Sequence, residues 1–122
     1  MKIVENLEKS TKLKGYLTPS FQKRWQRFAF IEQMANVGME VFRTIKAKSK
    51  QDEKSAELAF KRAMELFDLT LQDPKNEKKF GEVVRARESF VDFFKHGIQC
   101  GQSAESINNY FYNFNYLARI GV

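Results

Sequence analysis

Two runs of regularly spaced apolar residues, separated by one break, constrain most strongly what this chain can fold into. Between Ala59 and Phe94 the apolar residues recur three and four positions apart on both sides of Asp73-Pro74, which is the spacing of one face of an α-helix. Proline fits the first turn of a helix but not its interior, and an aspartate before it can cap the helix that follows. The stretch therefore predicts a helical hairpin.

The same periodicity before and after this hairpin predicts two further helices. The four helices are expected over 21–48, 53–72, 74–96 and 103–120. The sequence has no alternating strand pattern and no internal repeat, and the predicted connections are short. These features predict an all-α fold, an antiparallel four-helix bundle over residues 20–122 that is preceded by an N-terminal arm over residues 1–19.

The ends and the buried faces of these helices can also be predicted. Ser20 is the expected N-cap of the first helix and Ser103 that of the fourth, while Gly97 is expected to end the third. Gly38, inside the first helix, costs roughly 1 kcal/mol relative to Ala, which indicates a close approach of another helix or a slight bend. Phe80 is expected on the inward face of the third helix. The expected inward face of the first helix holds Phe28, Ile31, Met34, Ala35, Gly38, Val41, Phe42 and Ile45.

The chain is expected to be a soluble cytoplasmic protein of one domain. No apolar stretch is long enough to cross a bilayer, so no membrane partner is expected. The charged start from Met1 to Glu5 argues against a secretory signal, and the single cysteine, Cys100, cannot form an internal disulfide. These features favour a reducing cytoplasm.

Positive charge is concentrated in the first part of the chain. The formal net charge is +6, yet residues 1–50 hold eleven Lys or Arg against four acids, whereas residues 51–122 hold ten against eleven. Such an asymmetry favours an anionic partner, such as a nucleic acid or an acidic protein. A cationic surface that only keeps the protein soluble is equally consistent with it.

The start of the first helix combines cations with an aromatic ring. Lys23, Arg24 and Arg27 can meet phosphates while Trp25 offers a stacking surface, as in proteins that bind RNA or single-stranded DNA. Alternatively, Trp25 packs under the N-terminal arm and the cations are merely solvated. Our first hypothesis is a non-enzymatic protein that binds RNA or DNA through this face. A second basic patch at the end of the helix comprises Arg43, Lys46, Lys48 and Lys50.

The outer face of the fourth helix carries amide and phenol groups in place of charges. Such groups bury surface without the penalty of desolvating a charge, which suits a protein interface. Our second hypothesis is therefore an interaction subunit that forms a homo-oligomer or binds another protein through this face. The candidate residues are Asn108, Tyr112, Asn115 and Tyr116.

An arginine, Arg87, lies on the predicted inward face of the third helix, between Val84 and Val91. A buried arginine keeps its charge and needs carboxylate or carbonyl partners. Either Arg87 belongs to an ion pair that fixes the register of the helices, or it marks a polar site inside the bundle. The second interpretation is the basis of a third hypothesis, an enzyme. The acids expected near it are Glu40, Glu65 and Asp68.

The sequence predicts no catalytic residue, metal site or cofactor. A carboxylate-bridged metal site in a bundle needs Glu-x-x-His, but Phe93 stands three residues before the only histidine, His96. Eight residues separate Arg87 from His96, too many for the Arg-x4-6-His spacing of small helical toxin nucleases. His96, Cys100 and Asp92 flank a glycine-containing turn, where side chains are more often solvated than catalytic. A glycine-rich phosphate loop and a zinc spacing are also missing.

Five short motifs are spread over about residues 25–119. They are Ala35-Asn36-Val37-Gly38-x-Glu40-Val41-x-Arg43, Ala63-Met64-Glu65-Leu66-Phe67-Asp68-Leu69-Thr70, Asp73-Pro74-Lys75-Asn76, Arg85-x-Arg87-Glu88 and Tyr110-Phe111-Tyr112-x-Phe114-Asn115. Together they resemble the motifs of a group of small uncharacterised prokaryotic all-helical proteins. The resemblance implies a bacterial or archaeal cytoplasmic protein with an all-helical fold, and it implies no activity, cofactor or partner. The chain departs from the group at Met39, where the group has serine, and at Lys95-His96-Gly97.

Overall fold

The computed structural model describes residues 18–97 and 103–121 of the chain. The predicted N-terminal arm therefore lies almost entirely outside the described residues, as does Cys100. The described residues form helices and no strand, which confirms the predicted all-α class and the antiparallel packing of four main helices.

The described helices follow one another with short connections. They are α1 (Pro19–Arg27), α2 (Phe30–Ser49), α3 (Glu53–Gln72), a short 3-10 helix (Pro74–Lys79), α4 (Phe80–His96) and α5 (Ala104–Arg119).

The helix α2 lies at the centre of the bundle and packs against α3 on one side and α5 on the other. Phe30, at the start of α2, meets Phe114 near the end of α5, with ring centroids 5.9 Å apart. On the other side of the bundle Phe60 stacks on Phe94 at 3.9 Å, so that the early part of α3 lies against the late part of α4. Both helix pairs are therefore antiparallel.

The core is a single apolar cluster between these helices. Burying side chains of this size stabilises the fold by roughly 1.5–3 kcal/mol each. Its completely enclosed large members include Met34, Val37, Val41, Phe67, Val83 and Phe90.

The prediction of one continuous first helix is wrong, because the helix is interrupted at Phe28 and Ala29. Both residues have extended backbone, with ψ angles of 143° and 157°. Glu32 captures the Ala29 N–H at 3.0 Å, and the Phe28 N–H bonds to the Trp25 carbonyl at 3.1 Å. The break gives α1 a direction of its own, so that it packs against α3 with the Trp25 side chain in the core.

The cap predictions are mostly confirmed. Ser103 accepts the Ser106 N–H at 2.9 Å, and Asp73 accepts the Lys75 N–H at 3.1 Å. Gly97 ends α4 with a φ of 60°, a left-handed conformation that glycine adopts without strain. The N-cap of α1, however, is Thr18 and not Ser20, because the Thr18 hydroxyl accepts the Phe21 N–H at 3.1 Å.

Three aromatic residues that were expected to face inward are exposed. Phe28, Phe42 and Phe80 leave 39%, 51% and 54% of their surface open to solvent. Periodicity gives the direction of an apolar stripe but not the width that the neighbouring helices cover, and these three residues lie beyond that width. Phe80 is also the first residue of α4, because the turn that follows Asp73 is a 3-10 helix.

The expected close approach at Gly38 is confirmed. A Cβ atom at this position would lie 2.8 Å from the Phe111 Cβ of α5. Glycine is therefore required here by the contact between α2 and α5.

Candidate interaction surface

The predicted stacking role of Trp25 is wrong, because this ring lies in the core with 2% of its surface exposed. Its Nε1–H donates to the Thr70 hydroxyl of α3 at 3.1 Å. Phe21 and Phe28 flank the indole, each with a ring centroid 5.9 Å away. No face of the ring is left open on which a nucleobase could stack.

Trp25 belongs to a buried polar network that the sequence did not indicate. Gln33 donates to the Trp25 carbonyl at 2.9 Å and to Asp73 at 2.8 Å. Asn76 donates to the Gln33 side-chain oxygen at 2.7 Å and to the Thr70 carbonyl at 2.9 Å. Each of these polar groups finds a hydrogen-bond partner within the network. The network extends over 51 positions of sequence, from 25 to 76, so no local sequence pattern could have predicted it.

The acid of this network, Asp73, is ionised more readily than an ordinary aspartate. Burial acts to raise the pKa of its carboxyl group, but side-chain hydrogen bonds from Lys75 and Gln33 outweigh burial and hold the pKa below its ordinary value. Lys75 also forms an ion pair with Asp73. The network joins α1, α2 and the end of α3 through buried hydrogen bonds.

The cations of α1 are exposed, as predicted for a surface that meets phosphates. Lys23, Arg24 and Arg27 all point to solvent, and α1 carries no acid. The guanidinium of Arg24 lies over the Phe21 ring, 5.4 Å from its centroid.

The second predicted basic patch is only partly available. The Lys48 ammonium donates to the Phe94 carbonyl at 2.8 Å and lies 4.4 Å from the centre of that ring. Lys48 therefore caps the end of α4 and is not free to bind phosphate. Arg43 bonds to the buried Glu40 at 3.2 Å, whereas Lys46 and Lys50 are exposed.

The structure adds three cations to the basic surface of α1. The 3-10 helix that follows Asp73 carries Lys75, Lys78 and Lys79, all exposed. The Lys75 ammonium donates to the Gln26 carbonyl at 3.0 Å, so this helix lies against the end of α1. The sequence could not place these lysines there, because the break between α1 and α2 was not predicted.

Arg87 is not the buried residue that its position on the helix predicted. It pairs with Asp68 at 3.1 Å, and their side chains are 34% and 45% exposed. Glu40 and Glu65 are buried, but Glu40 pairs with Arg43 on its own helix. The predicted cluster is thus divided between two places, since the Arg87–Asp68 pair joins α4 to α3 at the surface.

A groove of about 350 Å³ runs between α2 and α5; we call it the α2–α5 groove. No residue that lines it carries a charge. The α2 helix contributes Ala35, Gly38, Met39 and Phe42, and the α5 helix contributes Asn108, Asn109, Phe111, Tyr112 and Asn115. Three of the four predicted interface residues therefore line one groove, and Tyr116 lies one turn further along α5.

Large apolar side chains are exposed along this groove. Met39 is 46% exposed, Tyr112 60% and Tyr116 53%, and Phe42 is also exposed. A single exposed apolar residue is ordinary, but a group at one groove is typical of a binding surface. Sequence reasoning found the α5 half of this surface and missed the α2 half, because Phe42 was expected in the core.

A second groove of about 250 Å³ lies between α4 and α5. Tyr110 donates from its hydroxyl to Glu82 at 3.0 Å at the edge of this groove. Burial, together with this hydrogen bond, raises the pKa of Tyr110 above its ordinary value. Arg87, the residue on which the enzyme hypothesis rested, lines neither this groove nor the α2–α5 groove.

No helix in the described ranges is long and apolar enough to span a membrane, and no three His, Cys, Asp or Glu side chains there are grouped as a metal ion would require. Comparison with protein families, curated proteins and solved structures finds no match for this chain. The resemblance to prokaryotic helical proteins therefore stays a prediction, and function is argued from the surface itself.

Proposed function

We propose that this chain is a non-enzymatic interaction module that binds a protein through the α2–α5 groove. The observation that carries the proposal is the exposure of Met39, Phe42 and Tyr112 around a groove without charge. In a chain with 30% charged residues, an uncharged apolar surface of this kind costs solubility unless a partner covers it.

The shape and chemistry of the groove agree with a protein partner. Aromatic and methionine side chains are enriched in the buried centres of interfaces. The asparagines of α5 each offer both a donor and an acceptor, so they can bond to backbone or side-chain groups of a partner at the edge. A nucleic acid, in contrast, would find no cation in this groove.

Site-specific photocross-linking in the native host tests the proposal. Benzoylphenylalanine in place of Phe42 or Tyr112 should give a protein adduct, which mass spectrometry then identifies as a second copy or as another protein. The matched control is the same substitution at Phe80, which is 54% exposed compared with 51% for Phe42 and does not line the groove. Equal adducts at Phe80 and Phe42, or none at Phe42 and Tyr112, would contradict the proposal.

We further propose, as a second candidate function, that α1 binds a polyanion, RNA or DNA. The observation that favours it is the contact of the 3-10 helix with the end of α1, which brings the exposed Lys78 and Lys79 beside the cations of α1. Lys75 makes this contact and is itself engaged by Asp73 and the Gln26 carbonyl. Asp73 offsets the charge of Lys75, and the other acids nearby, Glu32 and Glu77, still leave a local excess of positive charge. Binding would rest on phosphate contacts alone, since Trp25 is buried, and would therefore be independent of sequence and sensitive to salt.

Titration of a labelled single-stranded RNA at low salt tests this second function. Reversal of Lys23, Arg24 and Arg27 to Glu should weaken binding at least about tenfold and reduce the slope of log K against log salt by about 2, since each contact contributes about 0.7. The control variant carries Lys54→Glu, Lys61→Glu and Lys95→Glu, which change the net charge equally on exposed positions of α3 and α4. The same loss in both variants would show only a general effect of net charge.

A further inference from the structure

One exposed stripe of α2 has a charge pattern of its own. Glu32, Met39 and Lys46 are spaced by seven residues and all three are exposed. Seven residues make about two helical turns, so these side chains lie in one line along the helix, about 21 Å from end to end. The buried residues of α2, such as Val37 and Val41, lie on the opposite side. The stripe thus has an acid at one end, an apolar centre and a cation at the other end.

The structure points to a second copy of this chain as the occupant of this surface. We infer that α2 packs antiparallel against α2 of the partner around a twofold axis at Met39. This inference rests on the proposed function, because Met39, on which the pair is centred, lines the α2–α5 groove.

The register follows from the symmetry. In an antiparallel pair around Met39, a residue that follows Met39 in one copy faces the residue of the other copy that precedes Met39 by the same number of positions. Lys46 follows by seven and Glu32 precedes by seven. Each Lys46 therefore lies opposite the partner's Glu32, and the dimer has two such ion pairs, one at each end of an apolar centre.

The shape of the surface agrees with pairing to itself. Met39 lines both the α2–α5 groove and a groove of about 300 Å³ between α1 and α2, so it forms a ridge between two depressions. Helices pack by placing the ridge of one into the groove of the other. A twofold axis at Met39 allows each ridge to enter a groove of the opposite copy.

Electrostatics favour this occupant over others. The excess of positive charge lies in residues 1–50, so two copies that met through their basic surfaces would repel each other. At this stripe the two ends have opposite signs, and Arg43 beside it is already bonded to Glu40 at 3.2 Å. A polyanion would meet Glu32 and the apolar ridge here.

Sedimentation equilibrium of the purified protein with a charge swap tests the inference. The wild type should dimerise with a Kd below about 100 µM. Lys46→Glu alone turns both ion pairs repulsive and should weaken the dimer about tenfold. Glu32→Lys does the same but also removes the acceptor of the Ala29 N–H, so circular dichroism of the Glu32 variants checks that the helix content is unchanged. The double variant, Glu32→Lys with Lys46→Glu, restores opposite signs and should recover the wild-type Kd to within about threefold.

Controls separate this inference from the proposed function. Glu57→Lys and Lys61→Glu make the same charge changes on exposed positions of α3 and should leave the Kd unchanged. A wild type that is monomeric at high concentration overturns the inference, and so does a dimer that the double variant fails to restore. In both cases Phe42 cross-links to a different protein would still support the proposed function, whereas cross-links that are absent at Phe42 would contradict both.

Discussion

At the scale of single residues, the polar side chains inside the fold matter most for specificity. Trp25 was the best local signal for nucleic-acid binding, since cations surround it in the sequence. The structure uses it differently, because Thr70 offers the indole N–H a buried partner. Local sequence cannot show such a partner 45 positions away, so the surface role of Trp25 was predicted from its neighbours and was wrong.

Replacement of Thr70 by valine should destabilise the protein by about 1–3 kcal/mol, because the buried indole N–H then has no acceptor. Chemical denaturation in urea measures the effect. Thr44→Val is the matched control, since Thr44 is equally buried and its hydroxyl likewise donates to a carbonyl four residues earlier, at 2.8 Å. If both variants lose the same stability, the bond to Trp25 contributes nothing.

At the scale of the helices, the sequence predicted the existence and the direction of the long elements well. Apolar spacing is a local signal, and it indicated the long helices. Asp73-Pro74, Ser103 and Gly97 are local signals as well, and each of these corresponds to an observed helix end. At the break between α1 and α2, Phe28 and Ala29, the sequence has no glycine or proline that would have indicated the end of a helix. The break is stabilised by tertiary contacts of α1, and periodicity continues across it, so the sequence alone could not predict it.

Gly38→Ala should destabilise the bundle, because the new methyl group pushes α5 away from α2 at a cost of up to about 3 kcal/mol. This cost exceeds the roughly 1 kcal/mol that alanine gains over glycine inside a helix. Gly81→Ala provides the control, since a Cβ there meets only the flexible end of Arg85 at 3.3 Å, and it should stabilise α4. Thermal unfolding of both variants measures the difference, and shifts of the same sign would show that α2 and α5 are not in tight contact.

At the scale of the whole molecule, α1 is joined to the bundle through its core and not only through its connection to α2. The network of Trp25, Gln33 and Asp73 ties the helix to both α2 and the end of α3. The consequence is a single cooperative structure for the described residues. The placement of both candidate surfaces depends on this arrangement, which is why sequence patterns found their parts but not their juxtaposition.

Unfolding followed by tryptophan fluorescence and by helical circular dichroism should therefore give one coincident transition. The chain has one tryptophan, so its emission reports on α1 alone, whereas circular dichroism averages over all helices. A fluorescence transition at a lower urea concentration would mean that α1 detaches before the bundle unfolds.

The bond from Lys48 to the end of α4 has a practical consequence for chemical footprinting. An amine-reactive reagent such as acetic anhydride modifies exposed lysines of the native protein, and Lys46 and Lys50 are open to it on either side of Lys48. The Lys48 amine is partly buried and bonded to the Phe94 carbonyl beside the ring, so it should be acetylated more slowly than Lys46 and Lys50. A rise of Lys48 acetylation to the level of its two neighbours, measured by mass spectrometry, would then report that the end of α4 has moved away from α2.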